Sequence, residues 1–203
     1  MTSHPAAAMA DKKASKIHAR RDQIVAAARQ CFRQSGFHAA GMAEIARRSQ
    51  LSVGQIYRYF VNKDAIIEEI VRRIVNNRIQ ILTLADDHAA QMAHELALRI
   101  LAGDEATRED DRALMLEASA EATRNPKVAH ILQEADARLF HQASAMLRQR
   151  YPQLSAEQIA ARVELVAVLS EGTAFRAFTA QQASPEALNQ LYRHLLQQLF
   201  PPA

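Results

Sequence analysis

The sequence predicts an all-α fold, and three observations carry that expectation. Its 203 residues include only five Gly and no Trp, while Ala, Leu, Glu, Gln and Arg, all strong helix formers, are abundant. No run of alternating β-branched residues marks a strand. Hydrophobic residues make up 49% and charged residues 23%, the balance of a globular chain with one or two cores.

Charge is unevenly distributed. Residues 1–63 hold eleven basic and three acidic side chains, a surplus of eight positive charges, whereas residues 64–203 hold fourteen basic and nineteen acidic, a deficit of five. A basic first third on an acidic remainder suits a polyanion-binding head joined to a body with another task. Cys31 is the single cysteine, so neither an intrachain disulfide nor a cysteine zinc site is available, which fits a reducing compartment. The N-terminal Ala-Met stretch is too brief for a signal peptide, and no run of about 18 apolar residues suits a membrane. The expectation is a cytoplasmic protein with no membrane partner.

Residues 1–14 lack apolar periodicity and read as a flexible basic arm. A first helix over residues 15–35 places Ile17, Ile24, Ala28, Cys31 and Phe32 on one stripe, and Gly36 stops it. A second, over 42–49, buries Met42, Ile45 and Ala46, with Gly41 at its N-cap. After the turn at residues 50–52, Ser52 caps a third helix over 53–59, whose Ile56 and Phe60 face inward at i, i+4.

That arrangement leaves Val53, Gly54, Gln55, Tyr57 and Arg58 on an outer face suited to the DNA major groove. Gln pairs bidentately with adenine, Val touches a thymine methyl, and Arg reaches guanine or a phosphate. Gly54, lacking a side chain, lets the helix sit deep. Tyr57 and Lys63 are assigned to phosphates, Lys63 together with the N–H groups of the helix starting at residue 62.

These residues carry a resemblance. The stretch from Arg21 to Ile70, with Ile24-Val25-Ala26-Ala27-Ala28, Phe32, Gly36-Phe37, Ile45-Ala46, Leu51-Ser52, Gly54, Ile56-Tyr57-Arg58-Tyr59-Phe60 and Asn62-Lys63-Asp64, resembles the DNA-binding domain of the TetR family of bacterial transcriptional regulators. The resemblance implies a two-domain all-α homodimer that binds a palindromic operator through its N-terminal heads and a small-molecule effector through its body. It also adds Gly41 and Ser52 to the DNA-contacting positions. Two departures stand out: Ala40-Gly41 replaces the usual hydroxyl pair before the second helix, and Gln50 replaces the usual turn glycine. If the turn needs φ > 0, Gln50 costs about 1 kcal/mol that glycine avoids.

The domain division is therefore an arm at 1–14, a helix-turn-helix domain at 15–62, and an effector-binding and dimerisation domain at 63–203. In the body, a connecting helix over 64–85 shows a broad apolar face from Ile66 to Ile79, and a helix over 88–102 ends at Gly103. Residues 104–111 read as a charged connection and 112–124 as the next helix. Asn125 and Pro126 open another that runs to Arg150. Ser155-Ala156-Glu157-Gln158 is a capping box for a helix to residue 181, and Ser184-Pro185 opens the last, ending at Phe200. These two final helices, at 155–181 and 184–200, are suited to a four-helix homodimer bundle.

An effector pocket implied by the resemblance draws on Met92, Met115, Glu117, Phe140 and Phe175. No cofactor is expected. His130 and Glu134 have metal-compatible spacing, but two ligands make no site, so no metal is assigned. No nucleophile–base pair, glycine-rich phosphate loop or carboxylate–histidine cluster supports an enzyme. The rival to a ligand-responsive repressor is an architectural DNA-binding protein without an effector, which would show little sequence preference.

Overall fold

The computed structural model describes residues 5–84, 88–99 and 105–200. Among the described residues there are nine helices and no strand: α1 (Pro5–Ala39), α2 (Met42–Arg48), α3 (Val53–Tyr57), α4 (Lys63–Leu84), α5 (His88–Leu98), α6 (Glu105–Ala122), α7 (Pro126–Arg150), α8 (Ala156–Arg176) and α9 (Pro185–Leu199).

Helix α1 begins ten residues before the expected start at residue 15. Pro5 sits at the first helical position, where its missing N–H costs nothing, and Ala6, Ala7, Ala8 and Ala10 are the best helix formers. Residues 5–14 are thus helical backbone rather than an arm, and residues 1–4 lie outside the described residues. Gly36 breaks the helix as expected, at φ 72 and ψ 168. Burial on α1 starts at Ile24; Ile17, placed on the core stripe by periodicity, is 42% exposed because α1 there extends past the helices it packs on.

One core cluster runs from Ile24, Cys31, Phe32 and Phe37 through Ile45, Ile56 and Phe60 into Ile66, Ile67, Ile70 and Ile74 of α4. It continues to Leu114 and Ala118 of α6 and Val128 and Ile131 of α7. The apolar face of α4 therefore serves head and body together, across the boundary drawn at residue 62. A second cluster of Leu147, Tyr151, Ile159 and Val163 joins the end of α7 to α8.

Several boundaries differ from the sequence reading, and α5 among them ends at Leu98, four residues before 102. Residues 105–111, expected as a loop, are the first turns of α6, while 100–104 lie outside the described residues. Helix α3 ends at Tyr57, two residues early. Helix α8 ends at Arg176, five residues before 181, and Arg99, just after α5, donates to the carbonyls of Arg176 and Thr179 at 2.6 and 2.7 Å. The predicted caps are present: Ser52 with Gln55, Ser155 with Gln158, Asn125 with Lys127 and Ser184 with Ala187.

Candidate nucleic-acid interface

The outer face of α3 is built by one buried anchor and one cap. Ile56 is fully buried and fixes the helix by its inner side, and the Ser52 hydroxyl accepts from the Gln55 N–H at 3.2 Å. What remains outside is Val53 at 37% exposure, Tyr57 at 50%, and Gly54, Gln55 and Arg58, all exposed. A Cβ added at Gly54 would meet nothing within 4 Å, so the surface there is open to a close approach. Gly41, also exposed, caps α2 with extended backbone at φ −96 and ψ 161 and contributes no side-chain bond. The structure thus brings seven of the eight expected DNA-facing positions, Gly41, Ser52, Val53, Gly54, Gln55, Tyr57 and Arg58, to solvent around the α2–α3 turn, and leaves Lys63 half-buried.

Two assignments change in chemistry. Gln55 Oε1 accepts the Ser52 N–H at 2.8 Å, completing the capping box, so the acceptor that a bidentate adenine pair requires already holds one hydrogen bond within the chain. Lys63 Nζ donates to the carbonyls of Phe37 at 2.5 Å and His38 at 3.2 Å, taking up two of its three donors at the end of α1 rather than leaving them for a phosphate. Asn62 Oδ1 likewise accepts the Ala65 N–H at 2.8 Å, filling part of the α4 N-terminus assigned to a phosphate clamp. Sequence reasoning also passed over Arg47, exposed on α2 beside the same surface.

The turn between α2 and α3 confirms the strain foreseen for it. Gln50 has φ 55, in the left-handed region that glycine occupies freely.

The head is fastened to the body at two places. Glu69 of α4, buried, receives Arg72 at 2.7 Å, Arg73 at 2.7 Å and Arg21 of α1 at 3.0 Å. Arg21 also donates to the carbonyl of Tyr59 at 2.9 Å and stacks over Phe60 at 4.3 Å, while Arg73 reaches Asp22 of α1 at 2.7 Å. Burial alone would raise the Glu69 carboxyl; the hydrogen bonds from Arg72, Arg73 and Arg21 overcome it and hold its pKa at about 2.

The second fastening comes from α6. Glu117 Oε1 accepts the Phe37 N–H at 2.9 Å, directly after Gly36, and a Cβ at Gly36 would lie 2.6 Å from the same oxygen. Arg29 pairs with Asp111 at 2.5 Å and with Asp110 at 3.3 Å, and Arg33 with Asp110 at 3.0 Å. The short segment that leads into α2 is therefore gripped from both sides, by Lys63 on its carbonyls and by Glu117 on its N–H.

This grip corrects the pocket expected in the body. Glu117 holds the head instead of facing a ligand, because Gly36 leaves room for its carboxylate. Met115 packs on the first core cluster and Phe140 on the second, and Met92 is half-buried on α5. Phe175, 62% exposed, lines a cleft of about 600 Å³ between α5, α8 and α9. The five residues do not converge on one cavity, since helical spacing alone does not say which neighbouring helix a side chain meets. Cys31 is buried in the core, and that burial, the largest influence, pushes its thiol up, away from nucleophile chemistry. His130 and Glu134 face each other at 3.4 Å as an exposed pair. No described helix is long and apolar enough to cross a membrane.

A short, capped helix with an open polar face, set after a second helix and a tight turn on a basic head, defines a helix-turn-helix DNA-binding protein. Residues 24–70 match the family described as bacterial regulatory proteins, tetR family. The N-terminal head is thus similar to the DNA-binding domain of TetR-family transcriptional regulators. It is 29% identical over 134 residues to the transcriptional regulator UidR of Escherichia coli K12, a match covering 61% of this chain and 62% of UidR. It is 28% identical over 188 residues to the regulator BetI of Escherichia coli O45:K1, covering 90% and 94%. Among solved structures, Salmonella enterica GusR is similar with a TM-score of 0.67 at 26% identity, covering 89% of this chain and 95% of that one. UidR and BetI are regulators of transcription.

Proposed function

We propose that the protein is a ligand-responsive repressor that binds a palindromic operator as a homodimer and is released by a small-molecule effector. The observation that carries this reading is the double fastening of the head: the segment before α2 is held by Lys63 of α4 and Glu117 of α6, so a shift of either helix moves the DNA-reading surface. An architectural DNA-binding module has no use for such a linkage. Val53, Gly54, Tyr57 and Arg58 supply the groove surface, with Ser52 and Gly41 near the backbone, the Gln55 amide N–H as a donor, and the remaining N–H of Lys63 for a phosphate.

Pairing of two copies through residues 155–181 and 184–200 is supported by apolar side chains left in solvent: Leu165, Val168 and Phe175 on α8, Phe178 just after it and Leu191 on α9. Two heads in such a dimer would place their α3 helices in successive major grooves about 34 to 36 Å apart. To take the operator from nearly full to nearly empty occupancy, an effector must favour the released state by about 5.5 kcal/mol. Footprinting on DNA flanking the gene tests the arrangement. Two protected half-sites one helical turn apart are expected, and a single protected half-site bound by a monomer would refute it.

A further inference from the structure

The first buried residue of α1 is Ile24, and every side chain from Ala14 to Arg20 is exposed, so this part of the helix adds nothing to the core. It also precedes residues 24–70, which carry the family match, so the helix-turn-helix does not account for it.

Its charge is one-sided. No Asp or Glu occurs from residue 12 to residue 21, and Lys12, Lys16 and Arg20 follow at i, i+4 and i+8, which sets them along one stripe. Like charges at that spacing weaken a helix instead of supporting it, so helix stability does not explain them. Asp22, the next acid along α1, is taken by Arg73 of α4 at 2.7 Å. Lys12 and Lys16 are exposed and form no ion pair among the described residues.

The stripe is joined to the DNA-reading surface. Arg20 Nη1 donates to Gln23 Oε1 at 2.6 Å, and Gln23 Nε2 donates at 2.6 Å to the carbonyl of Ser49, the C-cap of α2. Arg20 therefore stands beside the α2–α3 turn. At about 1.5 Å of rise per residue, Lys12 lies about 16 Å along α1 from Gln23.

We infer that residues 12–20 of α1 form a second DNA contact, a cationic edge along backbone phosphates beyond the groove entered by α3, with Lys12 and Lys16 on phosphates and Arg20 joining the edge to the turn. This contact rests on the reading of the head as a DNA-binding surface and extends it. Charge complementarity selects the partner: an acid-free cationic stripe continuous with a groove-reading helix meets a polyanion, and the phosphates of the same duplex are the nearest. Such contacts strengthen binding and fix register without choosing a sequence.

Lys12→Ala combined with Lys16→Ala removes both charges and puts the best helix former at each position. Fluorescence anisotropy of the full chain with a random-sequence duplex, across a salt series, reads the loss without the operator. The slope of log affinity against log salt should become shallower by about 1.8 per bound head, two phosphates at about 0.9 each. On the footprinted operator the affinity should fall by the same factor as on random duplex, roughly tenfold, leaving the preference intact. Hydroxyl-radical cleavage should show protection lost outside the major-groove half-sites and kept within them. Unchanged salt slopes, a loss confined to the operator, or protection identical to that of the wild type would overturn the proposal. So would a light-scattering mass below that of the wild type, since the stripe would then seat a second copy. A wild type that binds operator and random duplex equally would defeat sequence reading by α3 and not this contact, which the salt slopes judge by themselves.

Discussion

Glu69→Gln removes the charge at the centre of the joint between α1 and α4 and keeps the shape. In the wild type the carboxylate receives three guanidiniums, and the Gln amide would turn its own N–H groups toward at least one of them. The drop in pKa from 4.5 to about 2 corresponds to about 3 kcal/mol at most. The three arginine side chains are 31%, 41% and 35% exposed, so solvent screening reduces this to about 1 to 2 kcal/mol. Because the folded-state pKa lies below the unfolded one, the stabilisation is fully present above about pH 4.5 and is lost as pH falls toward 2. Urea unfolding at a series of pH values reads both effects. Glu69→Gln should be less stable by about 1 to 2 kcal/mol at pH 7, and the gap to wild type should close between pH 4.5 and 2. A gap that is absent at pH 7, or that persists unchanged at pH 2, would refute the carboxylate's role as the joint.

Three further outcomes follow from the head. Gln50→Gly relieves the φ 55 turn and should raise thermal stability by up to about 1 kcal/mol; an unchanged or lower melting temperature would count against strain there. Gly36→Ala places a Cβ 2.6 Å from Glu117 at φ 72 and should cost about 1 to 3 kcal/mol in urea unfolding. Glu117→Ala opens that space, so the double variant should be less destabilised than the sum of the singles. Gln55→Ala loses the reciprocal cap and should cost about 1 kcal/mol of stability, whereas Gln55→Glu keeps it and should weaken DNA binding alone by repelling phosphates. Parallel losses of stability in both would remove the cap from the account.

The head was legible in the sequence because its signals are local. Gly36, the Ser52 cap and the Ile56–Phe60 spacing each fix geometry within one helical turn. What escaped the reading depends on partners far along the chain. Lys63 meets a carbonyl 26 residues away and Glu117 an N–H 80 residues away, so neither role is visible in its own neighbourhood. Gln55 is the instructive intermediate: the capping box lies within four residues, yet its outward position alone suggested base reading. The body pocket was the least legible part, since Met115, Phe140 and Phe175 each lie on an apolar helical stripe but face three different surroundings.

Competition binding measures whether the α3 surface reads sequence. Affinity for the footprinted operator is compared with that for random duplex at fixed salt, for the wild type and for Tyr57 and Arg58 replaced by Ala. The wild type should prefer the operator by at least about 10³, and the preference should shrink in each variant by about 1 to 3 kcal/mol if the side chain touches a base. Equal binding of operator and random DNA by the wild type, or full preference retained without both side chains, would contradict it.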